Sequence, residues 1–505
     1  MSDCDVLICG LGPVGQLLAL LLSDLGVKVI AVDEADGPYE LPRAAVLDDE
    51  VLRIFQAAGV DQQVLADAQA QPAVSYITAR GRTIGVFKTE HGELGHPPLI
   101  SIHQPSMERS LVAALSDRGA VDLRWRQRLE TLDSGSEQVT AWTRPSPGGH
   151  SHSITARYLV GCDGARSTVR SRLRIRFGGL TYVQRWLVLD ALLDRPLAKA
   201  PHPHFVGDTN RPIVCLPMSP GRHRWEWMLH PGEDQAPFLE RARIRELLEP
   251  WISDERVQVE RAVVYTFHAR TAARWRAGRV LLAGDAAHVM PPFAGQGFSS
   301  GARDASNLAW KLDAVLNGAP ERLLDTYEAE RRPHVTSMQK LAVRWGGVIQ
   351  TNNPGVGRIR DTAFELLDRS GALHWIQQRV KPLPTFRAGL FATVPARLPF
   401  RRAVGSLFPQ PTVDGQRLDD LLGPGWSAVV ASDEPSEPLR RAGLNVVDVG
   451  ASEWLAPQRA QWAILRPDRY VFACGRQAEL AHALRALRTM IGPGLHCAAR
   501  EMVAA

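Results

Sequence analysis

No apolar run in the 505-residue chain reaches the roughly 20 residues needed to cross a bilayer, which excludes a helical membrane protein. The start, MSDCDVLICGLGPVG, has no basic stretch followed by an apolar core and a cleavage site; it places charge directly before an apolar strand. A soluble, cytoplasmic protein is expected. Cysteine is sparse: Cys4, Cys9, Cys162, Cys215, Cys474 and Cys497 form no Cys-x-x-Cys pair and no zinc-ligand spacing, so they read as reduced structural thiols, with no metal. The net charge is +5 and the isoelectric point about 9.0, yet the arginines are dispersed without a basic block, which argues against nucleic acid as a partner. Internal repeats and low-complexity tracts are absent, excluding a solenoid or a disordered scaffold.

What remains is an average globular composition, 45% hydrophobic and 22% charged, in a chain long enough for about two to four domains. Residues 5–9 (DVLIC) form an apolar run ending in glycines. Residues 13–25 then carry helical spacing up to Gly26, and a second strand is expected over 27–32. Strand, glycine turn, helix and strand make a βαβ unit, hence a parallel sheet. From about 181 to 270, runs such as RWLVLDALL, IVCLPM, HRWEWML and AVVYTFHA predict an inserted antiparallel sheet. RVLLAGDAAH returns to a buried strand, with a helix expected over 299–316. The expected division is 1–180 and 276–345 for the nucleotide-binding domain, 181–275 for the inserted sheet, 346–404 for a helical connection and 405–505 for a separate C-terminal domain.

Gly10-Leu11-Gly12-Pro13-Val14-Gly15 is a G-x-G-x-x-G turn between strand and helix, where missing side chains let backbone amides approach a pyrophosphate. Asp33 lies about 18 residues beyond Gly15, at the end of the second strand, where a carboxylate can accept from a ribose diol. This selects an adenine dinucleotide without choosing NAD or FAD. Asp163-Gly164 follows a strand at a turn, and Gly284-Asp285 is followed by Pro291, Pro292, Phe293, Ala294, Gly295, Gln296 and Gly297, a rigid turn before a helix.

Together, the glycine turn, the Asp-Gly segment and the Gly-Asp segment resemble the fingerprints of the class A flavoprotein aromatic monooxygenases, the p-hydroxybenzoate hydroxylase family. Through LPRAAVLDDEVLRIFQAAG, HRWEWML, VYTFHAR and GDAAHVMPPFAGQGFSSGARDASNLAWKL the chain is most similar to 3-(3-hydroxyphenyl)propionate hydroxylase-like proteins. The resemblance implies an α/β fold: a Rossmann-like FAD-binding domain, an inserted antiparallel-sheet substrate domain and a C-terminal thioredoxin-like domain. It implies an FAD-dependent monooxygenase that hydroxylates a phenolic or heteroaromatic ring with NADH or NADPH and O2, through a C4a-hydroperoxyflavin. It further implies that Arg43 meets the FAD phosphates or flavin edge, Gln104 the ribityl region, and Asp285 the ribityl or pyrophosphate portion. Asp163 would organise the shared FAD and nicotinamide site, the Pro292 carbonyl would lie beside the flavin, and the Gly295, Gln296 and Gly297 amides would face its pyrimidine end. GFSS at 297–300 departs from the Met-Asn common in close relatives. In the tail, Ser432-Asp433-Glu434-Pro435 stands where a redox cysteine pair is expected, so the domain reads as structural support or an oligomer contact.

Deprotonating the substrate hydroxyl would ease ring hydroxylation, and Asp48, Tyr265 and His268 are the candidate bases. Each has a structural alternative: Asp48 as a helix cap, Tyr265 as core, His268 as a satisfied strand histidine. Trp225 and Trp227 alternate along a strand and share a face, either walling the substrate or filling sheet core; Met290 and Phe293 are further candidates for substrate contact. A halogenase is disfavoured because Met228-Leu229-His230 follows the Trp-Glu-Trp. A carboxylate-bearing substrate would want an arginine, for which Arg185, Arg211, Arg222 and Arg224 compete. Epoxidation, Baeyer-Villiger insertion, antibiotic inactivation and a non-catalytic flavin sensor are the alternatives, and self-association stays open.

Overall fold

The structure is a computed structural model that describes residues 2–89, 92–252, 255–373, 375, 385–392, 403–431, 435–450 and 452–492. Its first strand, β1 (Cys4–Cys9), runs into helix α1 (Pro13–Asp24) and then β2 (Val29–Val32). Every residue of β2 is buried, as expected of a strand covered on both faces. Gly26 closes the helix at φ +79° by donating to the Ser23 carbonyl, a left-handed step that glycine takes without cost.

β1 pairs in parallel with β2 and with His152–Gly161, and the sheet continues in parallel through Val280–Leu282 on one side and Val121–Arg124 on the other. The chain thus leaves this sheet and returns to it after more than 100 residues. The helix Gln296–Leu316 packs across α1, and Gly301 permits the approach: a Cβ there would stand 2.5 Å from a Val14 methyl.

A second eight-stranded sheet carries Phe177–Leu193, His204–Val206, Ile213–Pro217, Arg222–Met228 and Val257–Ala272. Two differences from the sequence expectation stand out. Ala73–Ile77 and Thr83–Lys88, from the first segment of the chain, extend this sheet, and Ala73–Ile77 joins it in parallel with His204–Val206. The sheet is therefore mixed. Neither departure is visible locally, because strand pairing between residues over 100 positions apart leaves no mark on periodicity.

The C-terminal unit is a four-stranded sheet in the order Asn445–Asp448, Ser427–Val430, Trp462–Leu465, Val471–Gly475. The first pair is parallel and joined through the helix Ser436–Arg441; the others are antiparallel, and the helix Gln477–Ile491 follows. This is thioredoxin-like topology. Cys474 is fully buried and burial pushes its thiol up to about 12, so it is no redox nucleophile. Residues 432–434 and Cys497, which bear on the absent redox pair, lie outside the described residues. No helix among those described is long and apolar enough to cross a membrane, and no described group of His, Cys, Asp and Glu is arranged to hold a metal.

Candidate active site

One cleft of about 490 Å³ lies between the two large sheets. Its first half is built from the glycine turns. Gly10 takes φ +104°, and a Cβ on it would meet the Cys162 carbonyl carbon at 2.5 Å, so the turn between β1 and α1 presses on the Asp163 segment and tolerates no side chain there. Gly15 packs against the Gly10 carbonyl in the same way. Gly12, Gly164 and Gly297 are different: nothing lies within 4 Å of where their Cβ atoms would be, and all three line the cleft. Gly12 also caps α1 without a side-chain hydrogen bond, leaving the helix amides and their positive potential facing the cleft.

Carboxylates stand at defined points around this cradle. Asp33 Oδ2 accepts from the Leu11 amide at 2.6 Å and Oδ1 from the Ala35 amide at 2.8 Å, which ties the end of β2 to the glycine turn. Asp163 Oδ2 accepts from the Val169 amide at 3.0 Å, while Oδ1 is buried without a hydrogen-bond partner; burial raises its pKa against the donors around Ser167. Asp285 points into the open space of the cleft. Its side chain is open to the cleft, and desolvation by the surrounding walls raises its pKa, with His288 and Arg43 opposing the rise.

Gln104, the first residue of the helix Gln104–Arg118, takes the Arg43 and Ala44 amides on Oε1 at 3.1 and 2.5 Å and donates to Glu108 at 2.6 Å. Arg224 and Arg261 donate to the Pro42 carbonyl from the other side, and Arg224 also to that of Arg43 at 2.8 Å. Arg43 is thereby fixed at the cleft edge, its guanidinium 4.2 Å from the Tyr39 ring centre.

Pro292 faces the cleft, and its carbonyl accepts from the Gly295 amide at 2.8 Å, closing the turn before the helix Gln296–Leu316. Gly295 sits at φ +62°, where a Cβ would stand 2.7 Å from Val46. The Gln296 side chain turns away: Nε2 donates to Asp48 at 3.1 Å and Oε1 accepts from Arg303 at 2.9 Å. The Gly284 turn is held by Asp304 Oδ2, which also bonds His288 Nε2 at 2.6 Å. Burial would raise the Asp304 pKa, but His288 and Arg331 outweigh it and hold the carboxylate ionised.

The second half of the cleft is apolar, lined by Val74, Phe205, Val214 and Leu216 together with the expected Met290 and Phe293. The strand Arg222–Met228 forms part of its floor, and here the structure corrects the expectation. Trp225 and Trp227 are 0% and 2% exposed and face the opposite side, among Leu187, Leu189, Phe238 and Ile244. Side chains alternate along a strand, so the residues that reach the cleft are Arg224 and Glu226. The alternation was legible; which face met the cleft was not.

The three candidate bases stand apart from the cleft lining. Asp48 caps the helix Asp49–Ala57 through the Val51 amide at 3.1 Å and pairs with Arg303 at 2.8 Å in a buried cluster, so its carboxylate is committed. His268 lies by Thr181, with Nδ1 3.2 Å from the hydroxyl, and being three residues from Tyr265 it takes the opposite face of the strand. The Tyr265 ring lies 5.0 Å from the Arg261 guanidinium. Of the arginines considered for a substrate carboxylate, Arg185 donates to the Glu233 carbonyl, Arg211 pairs with Glu233 at 2.6 Å and Arg222 with Glu260 at 3.1 Å. Arg224 alone lines the cleft and is bound to Asp190 at 2.6 Å.

A glycine cradle at a helix N-terminus, braced by an acid at the end of β2 and continuous with an apolar chamber, is the arrangement of a dinucleotide-binding oxidoreductase. The chain belongs to the FAD binding domain family, which it matches over residues 3–342, and its residues 444–490 match the HcaD C-terminal domain. It is 37% identical to the 3-(3-hydroxy-phenyl)propionate/3-hydroxycinnamic acid hydroxylase of Mycolicibacterium gilvum, over 86% of this chain and 76% of that one. It is 33% identical to the protein so named in Escherichia coli, over 96% and 94%. The anhydrotetracycline hydroxylase from Streptomyces rimosus superposes with a TM-score of 0.77 at 26% identity, over 97% of this chain and 99% of that one. The chain is an FAD-dependent aromatic hydroxylase, a flavin monooxygenase.

Proposed function

We propose that the enzyme hydroxylates a phenolic or heteroaromatic ring, taking electrons from NADH or NADPH and one oxygen atom from O2. The observation that carries this reading is the continuity of the glycine-and-carboxylate half of the cleft with the apolar half in one cavity. The residues suit FAD: Gly12, Gly164 and Gly297 leave room for it where side chains would intrude. In this assignment Gly10, Gly12, Pro13 and Gly15 with the α1 amides hold the pyrophosphate, Asp33 the adenosine ribose, and Arg43 and Gln104 the middle of the cofactor. Asp285 holds the ribityl chain, the amides at Gly295, Gln296 and Gly297 face the ring, and Asp163 positions the Gly164 turn. Bound FAD supplies the electron transfer and oxygen activation, for which no side chain is suited. The protein's own work is to exclude water with Val214, Leu216, Met290 and Phe293 and to aim the ring.

The test is to purify the protein with its flavin and follow NADH or NADPH oxidation and oxygen uptake across phenols, pyridones and polycyclic aromatics under ¹⁸O₂. Substrate-stimulated oxidation with one labelled oxygen atom in the product is expected. Flavin that no aromatic compound stimulates would defeat the reading.

A further inference from the structure

The cleft floor contains a carboxylate for which the FAD-binding residues have no use. Glu226 lies mid-strand in Arg222–Met228, paired with Val214 on one side and Val188 on the other, and its side chain reaches the cleft beside Val214 and Leu216. It is 8% exposed, and no described residue hydrogen-bonds its carboxylate. The nearest cation, Arg224 Nη1, is 3.9 Å away, beyond hydrogen-bond reach. Arg224 directs its donors elsewhere, to Asp190 at 2.6 and 3.0 Å and to the Pro42 and Arg43 carbonyls. Arg261 likewise goes to Pro42 and stands 3.8 Å from Asp190. Burial raises the Glu226 pKa, Arg224 and Arg261 oppose this and Asp190 adds to it. Asp285 and Arg43 face the same cleft from the loops opposite, and the strand Ile213–Pro217 brings no charge. A largely buried acceptor with no protein donor is costly once water is displaced, and this one opens onto the cleft beside its apolar half.

We propose that Glu226 accepts the hydrogen bond of the substrate's phenolic hydroxyl and takes its proton. The phenol O–H bond breaks, a new O–H bond forms on a Glu226 carboxylate oxygen, and the electron pair stays on the phenol oxygen, from which it enriches the ring for attack by an electrophilic oxygen. The proton returns to solvent or product once the ring is aromatic again. The ring packs between Phe205, Leu216 and Phe293, hydroxyl toward the floor. This rests on the hydroxylase reading and makes Glu226 a catalytic residue of that reaction.

The experiment uses the flavin-loaded enzyme with 3-methylphenol and its methyl ether as probes, their dissociation constants read from the flavin spectrum between pH 5 and 9. The wild type should prefer the phenol by about tenfold or more at neutral pH, the range for a hydrogen bond to a charged acceptor. The preference should fall as acid protonates Glu226, since the neutral carboxyl accepts less well. In Glu226→Gln it should drop below about threefold and lose its pH dependence while flavin content stays unchanged. Glu226→Asp, which keeps the carboxylate, should retain both and decides the matter if the glutamine variant loses its flavin. An unchanged phenol-to-ether ratio in Glu226→Gln would overturn the assignment, as would equal loss in Glu226→Asp, which would point to shape rather than charge. Failure of the hydroxylase reading looks different: wild-type enzyme that consumes no oxygen with any phenol, whatever the binding ratios.

Discussion

Two buried clusters of charge, the floor of the cleft and the seam beneath the C-terminal sheet, treat their carboxylates in opposite ways. In the seam, Glu330 receives Arg466 through both guanidinium arms at 2.9 and 2.8 Å, Lys311 at 2.7 Å and Asn307 at 2.7 Å. Asp468 takes Arg466 at 2.6 Å, and nearby Asp419 takes Arg53 at 2.7 Å. In the cleft, the buried Glu226 and the more open Asp285 have no such partners, and their pKa values rise where those of Glu330 and Asp419 are held at about 2. Desolvation pushes all four upward; for Glu330 and Asp419 the arginines and lysine reverse the sign. Charges saturated by neighbours hold domains together, and charges left short of a partner mark where a ligand belongs.

The largest effect expected from this contrast is in the seam. Glu330→Ala strands Lys311 and Arg466 in the interior, and guanidinium titration should show a loss of about 3–5 kcal/mol. Because the folded pKa is depressed, the Glu330 contribution is complete above the ordinary glutamate range and disappears as pH falls toward 2. A loss under about 1 kcal/mol would show that the seam is decoration and break the contrast.

Next comes Gly12→Ala. Its backbone, φ −69° and ψ 177°, suits alanine, and the new methyl meets no protein atom, so the melting temperature of the flavin-free protein should stay put. FAD affinity should nevertheless fall about tenfold, roughly 1.4 kcal/mol, because the methyl enters the phosphate cradle. Equal affinities by flavin fluorescence titration would remove Gly12 from the site.

The smallest effect is a gain. The raised pKa of Glu226 means that its ionised form burdens the fold above that pKa, so Glu226→Gln should stabilise the protein at neutral pH by about 0.5–1 kcal/mol. The gain should vanish in acid, where folded and unfolded forms are both protonated. Destabilisation at pH 7 instead would place Glu226 with the seam residues rather than with the ligand-facing ones.

Much of the glycine-rich half of the cleft was legible from the chain. Gly12, Gly164, Asp285, Pro292 and Gly297 line one cleft and Gly10, Gly15 and Asp33 brace the turn behind it, because short-range backbone demands, turn conformation and close approach, restrict residue type. For Gln296 the expectation concerned the backbone amide, and the side chain serves Arg303 and Asp48 rather than the cleft. Asp48 shows why acids are ambiguous: the cap was readable locally, but Arg303, 255 positions away, was not. The clearest miss is the strand Arg222–Met228. Its alternation announced two faces, and the tryptophans, the more obvious aromatic wall, proved to be the core side.

What the sequence determined by itself is therefore the set of local structures whose geometry admits few residues: the glycine turns, the βαβ unit and the acid at the end of β2. Only the tertiary structure decided which face of the second sheet meets the flavin domain, that Ala73–Ile77 joins that sheet, and which buried acids are matched by distant cations. The reason is physical: turns depend on nearest neighbours, whereas burial and charge pairing depend on surfaces brought together from distant parts of the chain, and these settle whether a carboxylate such as Glu226 is left facing a substrate.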